Sequence, residues 1–471
     1  MSTRTGDPLA ALAALEIPAW LVGGAVRDRL LGRVTTDYDV AVDGDVIRLA
    51  RELARRVSGH PFELSEGFGA WRVVARDGSW SIDLLPLAGD SIEADLGRRD
   101  LTINAMAQGL PDGPLIDPFG GSGDLSRQRL RMVTPGAFRR DPLRALRLVR
   151  LACELGFEVE PKTADHAARA APDLAVVAPE RVFAELKRIV VSERVLAGLR
   201  MMDELQITGV VLPEVSALHG VEQSAYHHLD VYEHTLAVLG QAIELERDPE
   251  RFLGPQAGAV STFLSGQLAN ELTRWQALRL GALLHDIAKP QTRGVTPQGR
   301  VTFIGHDVAG SELIRSILRR LRASERLAEH VAALTRNHLR LGFLVHEVPL
   351  SRRSVYRYLR DCAPVQVDVT VLSVADRLAT RGRGSDEAIA AHLELARTLM
   401  PDALEWAERP PRPPIRGDQL AAALELAPGP QLGTILAELE EATFVGEIDS
   451  PQEAVNRARE LLRERPLGSR G

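Results

Sequence analysis

A chain of 471 residues is too long for one hydrophobic core and is expected to divide into about three or four domains. Its composition, 45% hydrophobic and 26% charged with a net charge of −7, is that of a soluble globular protein and excludes one that coats nucleic acid indiscriminately, leaving only local basic surfaces for a polyanionic partner. No apolar run reaches membrane-span length, the opening MSTRTGDPLAALAAL has no signal-peptide pattern, and the distant pair Cys153 and Cys362 suggests neither a disulfide framework nor a thiolate metal site, so a cytoplasmic protein with no membrane partner is expected.

The most informative stretch comes early, from Leu21 to Val42. It reads as a short apolar strand, a Gly23-Gly24 turn, an amphipathic helix closed near Gly32, and a second strand carrying Asp37 and Asp39. Side chains two apart on a strand share a face, so the two carboxylates converge on one spot that suits Mg²⁺, a hard ion that prefers oxygen ligands. The glycines leave backbone N–H groups free to approach a phosphate chain, with Arg27 and Asp28 about a turn further on. Together these features resemble the nucleotidyltransferase signature of the DNA polymerase beta superfamily, and specifically the tRNA nucleotidyltransferase/poly(A) polymerase family of bacterial class II type.

Further along, a helix is expected from Asp45 to Val57 and strands around Trp71–Ala75 and Trp80–Leu87. Asp83 falls where the superfamily often has a third catalytic carboxylate, and is equally consistent with an ordinary strand residue. The run Arg98-Arg99-Asp100-Leu101-Thr102-Ile103-Asn104-Ala105 resembles the family motif RRD-x-T-I-N-A. That likeness implies that Arg98 and Arg99 hold phosphates and that Asp100 and Asn104 contact the ribose. Asp117-Pro118-Phe119-Gly120-Gly121, followed by Asp124-Leu125, matches another shared segment and reads as a turn entering a capped helix. From Arg127 to Arg150 there are eight arginines and one acid, Asp141. Within this run, Arg140-Asp141-Pro142-Leu143-Arg144 is close to the family's E-D-x-x-R, with Arg147 and Arg150 continuing the same basic stretch as nucleotide-binding candidates. An aspartate accepts from the exocyclic amine of C or A and an arginine donates to ring nitrogen or carbonyl, so Asp141 and Arg144 can imitate a Watson–Crick partner. Arg140 stands where the family has glutamate, a departure that bears on base selection. Glu180-Arg181 through Glu185-Leu186 resembles the motif E-R-x-x-x-E-L, in which Arg181 and Glu185, four apart, are expected to pair.

A second site is expected in the helical region that carries most of the histidines. His234, the doublet His285-Asp286 and Asp376 reproduce the H…HD…D order of HD phosphohydrolases, where imidazoles and carboxylates from separate helices hold a divalent transition metal. His306 and His338 are candidates for a second ion or, equally, core histidines. Arg409 to Pro414 reads as a stiff linker, and the segments after Arg416 resemble the family's tail, which grips the tRNA elbow.

The expected fold class is therefore α+β: a polymerase-beta-like head of mixed sheet and helices (residues 1–135), then an all-helical neck (136–218), an HD domain (219–400), a Pro-rich linker (401–414) and a tail (415–471). The resemblance implies a Mg²⁺-dependent enzyme that adds nucleotides to the tRNA 3′ end without a template, contacting acceptor stem, 3′ end and elbow. Only Ala88 to Gly97 separates the third acidic strand from the RRD motif, whereas full CCA-adding members carry a longer loop understood to switch the site from CTP to ATP. The expectation is a CC-adding enzyme using CTP, with a separate A-adding enzyme beside it. Alternatives are full CCA addition with CTP and ATP, a poly(A) polymerase, and an HD phosphohydrolase whose head binds RNA.

Overall fold

The computed structural model describes residues 7–65, 69–223, 229–381 and 385–464. They form two compact bodies divided at Val211 and Leu212.

The first body is built on a seven-stranded sheet in the order β3-β4-β5-β2-β1-β6-β7. Its strands are β1 (Ala19–Val22), β2 (Asp37–Val42), β3 (His60–Ser65), β4 (Ala70–Val74), β5 (Ser81–Pro86), β6 (Ala107–Gly109) and β7 (Leu115–Ile116). Only the β2–β5 pair is parallel. β2 occupies the middle and runs from solvent into the core: Val40, Ala41 and Val42 are buried, while Asp37 and Asp39 lie at the accessible end. Because β1 is antiparallel to β2, with Val22 opposite Asp39, the Gly23 turn emerges beside those aspartates. The turn opens α2 (Gly24–Leu30). After α1 (Pro8–Ala13) and α2, α3 (Val46–Val57) lays Leu49, Ala50, Leu53 and Ala54 on the sheet; Asp45 caps its start by accepting from Arg48 N–H at 2.9 Å.

α4 (Ile92–Leu96) and α5 (Gly121–Ser126) follow, the latter begun by Asp117, which accepts from the N–H groups of Gly121 at 2.6 Å and Ser122 at 2.9 Å. Asp124 is buried, accepts from Thr102 Oγ at 2.7 Å, and pairs with Arg129 and with Arg131 at 2.7 Å, tying the RRD segment to the chain that leads into the neck. The neck packs α6 (Ala137–Arg140), α7 (Leu143–Leu155), α8 (Pro161–Ala170), α9 (Pro179–Val190) and α10 (Val195–Glu204), with a two-stranded ribbon between Arg129–Leu130 and Glu158–Val159.

The second body is helical, with small ribbons at Gln267–Ala269/Leu272–Thr273 and Gly294–Val295/Val301–Thr302. The helix Ser385–Glu408 continues through Pro401, so the extended stretch starts at Arg409 rather than at residue 401. Leu399, Met400, Ala403 and Trp406 are buried on this helix, and their packing outweighs the hydrogen bond lost at the proline. The tail helices Gly417–Leu424, Pro430–Phe444 and Pro451–Glu464 enclose a core of Leu420, Leu432, Ile435, Leu439 and Ala458. Among the described residues, no helix is long and apolar enough to cross a membrane.

Candidate functional site

The head site starts from Gly23, at φ +70°. A Cβ here would lie 2.8 Å from the Arg99 guanidinium and 3.5 Å from the Asp39 carboxylate, so glycine alone lets the backbone come this near both. Arg27 donates to both oxygens of Asp28 at 2.9 Å and to Asn104 Oδ1 at 2.7 Å. Asn104 donates in turn to Asp100 at 3.1 Å, and Asp100 also accepts from the Leu101 N–H at 2.8 Å and from Arg147 at 3.0 Å. Burial alone would push the Asp100 carboxyl up; the Arg147 charge and these hydrogen bonds win and hold it down to about 2.

A cavity of about 480 Å³ opens here. It is lined by Gly23, Gly24, Arg27, Asp28, Asp37, Asp39, Arg99, Asp100, Asn104, Asp141, Arg144, Arg147 and Arg150 from among the expected residues. Ser81 Oγ donates to Asp37 at 2.6 Å, leaving the second Asp37 oxygen outside that bond. Burial, with Asp83 adding to it against the pull of Arg99, pushes the Asp39 carboxyl above its ordinary range. Two carboxylates on one strand face, one of them raised in this way, form an oxygen-only donor set of the kind that fits a hard divalent cation.

Several expectations change. Arg98 is exposed and does not line the cavity. Asp83 does not line it either, because Arg72 holds both its oxygens, at 2.5 and 2.7 Å. The Asp100 carboxylate, expected at the ribose, is taken up by Arg147, Asn104 and the Leu101 amide. Arg150 is buried between Glu154 at 2.9 Å and Glu185 at 2.5 Å. The expected Arg181–Glu185 pair does not form: Arg181 reaches Asp141 at 2.8 Å while Glu185 takes Arg150, so both side chains of this motif steady the start and middle of α7. Asp141 lies extended ahead of α7 and accepts from the Leu143 N–H at 3.3 Å, and Arg144 donates to the carbonyls of Arg98 at 2.7 Å and of Arg99 and Ala137 at 3.2 Å.

The second body gathers its six expected residues from five helices or their ends. His234 stands on Val231–Arg247, His285 and Asp286 follow Arg274–Leu284, His306 begins His306–Arg320, His338 closes Glu325–Asn337, and Asp376 lies on Gln366–Ala379. Their ligand atoms fall into two groups, His234/His285/Asp376 and Asp286/His306/His338, with all atoms of a group within 4.8 Å of one another. The Nδ1 atoms of His285, His306 and His338 are 2.9, 2.7 and 2.7 Å from the carbonyls of Ala282, Phe303 and Thr335, an arrangement that aims Nε2 at the centre. Backbone carbonyls orient metal-ligating imidazoles in this manner. Asp286 sits between the groups, its Oδ2 3.1 Å from His285 and its Oδ1 3.3 Å from His306; buried, both oxygens lack an aligned hydrogen bond although Lys289 Nζ is 2.6 Å away. Burial pushes the Asp286 and Asp376 carboxyls up, but the neighbouring histidines outweigh it and keep both ionised; burial holds His338 down to about 4. Imidazoles and carboxylates with unspent lone pairs fit a divalent transition metal.

Family models match three segments of the chain. Residues 19–131 match the Poly A polymerase head domain, residues 156–218 the Probable RNA and SrmB-binding site of polymerase A, and residues 231–381 the HD domain. The A-adding tRNA nucleotidyltransferase of Deinococcus radiodurans is 38% identical over 443 residues, 93% of this chain and 94% of that one. The chain belongs to the tRNA nucleotidyltransferase family. Another member, the CC-adding tRNA nucleotidyltransferase of Thermus thermophilus, is 35% identical over 444 residues, covering 93% and 92% of the two chains. A solved CCA-adding enzyme in an apo form shares the fold, with a TM-score of 0.65 at 20% identity over 97% of this chain and 96% of that one.

In this tRNA nucleotidyltransferase both cavities also hold residues that sequence reasoning missed. Arg188, in the last turn of α9 and paired with Glu154 at 2.8 Å, lines the head cavity; no motif marks it. Lys289 lines the HD cavity, and its place one helical turn after Asp286 was a legible signal. His346, Ser373, Arg377 and His392 line the same cavity of about 480 Å³ from residues with no motif of their own.

Proposed function

We propose that this tRNA nucleotidyltransferase transfers CMP from CTP onto the tRNA 3′-hydroxyl and stops after two additions, the terminal adenosine coming from a separate enzyme. The connector Ala88–Gly97 carries the reading. Five of its ten residues form α4, whose Ile92 and Leu96 are buried in the head core, and Asp95 accepts from the Ala88 N–H at 3.2 Å and from Arg99 at 3.1 Å. A connector fastened at both ends in this way leaves no free lever to reorient the pocket from C to A.

Asp37 and Asp39 would hold Mg²⁺, which supplies charge neutralisation on the triphosphate and activation of the attacking hydroxyl. Around it the chain positions the reactants. The Gly23-Gly24 turn and Arg99, Arg147 and Arg188 face the phosphates, while Asp141 and Arg144 offer an acceptor and donors to the base edge. Transfer of this kind rests on alignment and charge, so no covalent nucleophile is required. In the second body His234, His285, Asp286 and Asp376 would hold a divalent transition metal, with His306 and His338 completing a second position, for hydrolysis of phosphate esters; Lys289 faces the same phosphate.

A second reading, addition of the terminal AMP, is favoured by the likeness to the Deinococcus A-adding relative. The test uses tRNA transcripts ending at the discriminator base, at C and at CC, each with CTP, ATP or both, resolved to single nucleotides. Extension that stops after two cytidines, with CC ends refusing ATP, supports the proposal. AMP added only to CC ends moves the chain to the A-adding group; C, C and A in sequence makes it a full CCA enzyme; long A tracts make it a poly(A) polymerase. No addition at all would leave an HD phosphohydrolase with an RNA-binding head.

A further inference from the structure

Asp83, expected as a third catalytic carboxylate, lies outside the lining of the head cavity. Its place in the sheet explains why. β2 and β5 run parallel with Asp39 beside Asp83, and β4 runs antiparallel to β5 with Arg72 opposite Asp83, so the three side chains stand in a row on one sheet face. Arg72 closes on Asp83 as a fork, at 2.5 and 2.7 Å, so each Asp83 oxygen already accepts one charged hydrogen bond. The Asp83 side chain is 17% exposed and that of Arg72 38%.

We propose that Arg72 and Asp83 are a positioning pair for nucleotide transfer, rather than a third ligand and its neighbour. The Arg72 charge offsets that of Asp83 beside Asp39, so that the pair adds little negative charge to what Asp37 and Asp39 offer the metal. This rests on the reading that those two aspartates hold the ion. Removing one partner of such a pair is worse than removing both, because the survivor keeps an uncompensated charge against its neighbour. The two single changes therefore act in opposite directions. Asp83→Asn leaves a bare guanidinium beside Asp39 and weakens cation binding; Arg72→Met leaves a bare carboxylate there and strengthens it.

The experiment measures the Mg²⁺ midpoint for binding a nonhydrolysable CTP analogue without tRNA, and separately the rate of addition to tRNA, for Asp83→Asn, Arg72→Met and the double variant. The proposal expects the midpoint to rise about threefold or more in Asp83→Asn, fall by a similar factor in Arg72→Met, and return near the starting value in the double variant, with addition following the same rescue. If Asp83 is a metal ligand, the double variant stays as impaired as Asp83→Asn and the proposal fails. Unshifted midpoints in all three variants overturn it equally, and the double variant keeps the test open should Arg72→Met fold poorly. Asp39→Ala run alongside separates the premise: retained Mg²⁺-dependent binding in that variant would refute the metal reading itself, not the pairing.

Discussion

The head cavity and the HD cavity enclose similar volumes, about 480 Å³ each, but solve opposite electrostatic problems. The head offers carboxylate oxygens at the open end of one strand and surrounds them with arginines: Arg27, Arg99, Arg144, Arg147, Arg150 and Arg188 all line it. It is built to receive negative charge that arrives from outside and leaves again, as a triphosphate and its pyrophosphate product must. The HD cavity instead buries histidines and aspartates in the protein, with His285, His306 and His338 each steered from behind by a carbonyl and Lys289 2.6 Å from Asp286. On the proposed reading such a site would hold its ion as a resident. One strand end and one turn suffice for the first, whereas the second needs five helices to agree.

The comparison breaks most readily at Asp37. It is exposed, so Asp37→Ala should cost the fold little while lowering nucleotide addition by about three orders of magnitude or more, measured as single-turnover extension alongside thermal melting. Addition near the wild-type rate would remove the head from the chemistry. Smaller in effect, Arg181→Met should cut discrimination between CTP and UTP about tenfold with less change in rate, because Asp141 then loses the partner that holds it where the proposed function places the base. A uniform loss of rate with selection intact would assign Arg181 to the neck alone. Gly23→Ala forces a side chain into positive φ and against Arg99, and is expected to slow addition about tenfold at a stability cost near ~1 kcal/mol.

The pH dependence is subtler. The Asp100 carboxyl is held down to about 2, below its unfolded value, so its contribution is present above the ordinary carboxylate range and is lost as pH falls through that range toward 2. Asp100→Asn should therefore destabilise the head by about 2 kcal/mol at neutral pH, with the gap to wild type closing between pH 4 and 2 in denaturant titrations. A gap independent of pH would mean that Arg147 does not set that carboxyl.

How much of this was legible in the sequence depended on whether a residue's partner was local. The Gly23-Gly24 turn, β2 with Asp37 and Asp39, and the helix expected from Asp45 to Val57 follow from patterns a few residues long and stand where expected, Asp45 serving as the cap of α3. The outer strands β3, β6 and β7 escaped notice, the first because His60-Pro61-Phe62-Glu63 lacks clean alternation and the others because two or three residues carry no period. Pairings across the chain were beyond reach: spacing of four predicted Arg181 with Glu185, yet each found a stronger partner on or before α7, and Asp83 met Arg72 through strand register. Four metal-site candidates could be named in order from the HD pattern and His306 and His338 added as candidates for a second ion, but not the grouping of His234, His285 and Asp376 apart from Asp286, His306 and His338, which only the packed helices decide.

The most direct test of two chemically separate sites is one preparation of Asp286→Ala assayed for both reactions, CMP addition to tRNA and metal-dependent hydrolysis of phosphate esters. The expected result is loss of hydrolysis and of transition-metal binding with nucleotide addition retained within about twofold. Loss of addition together with hydrolysis would contradict the account.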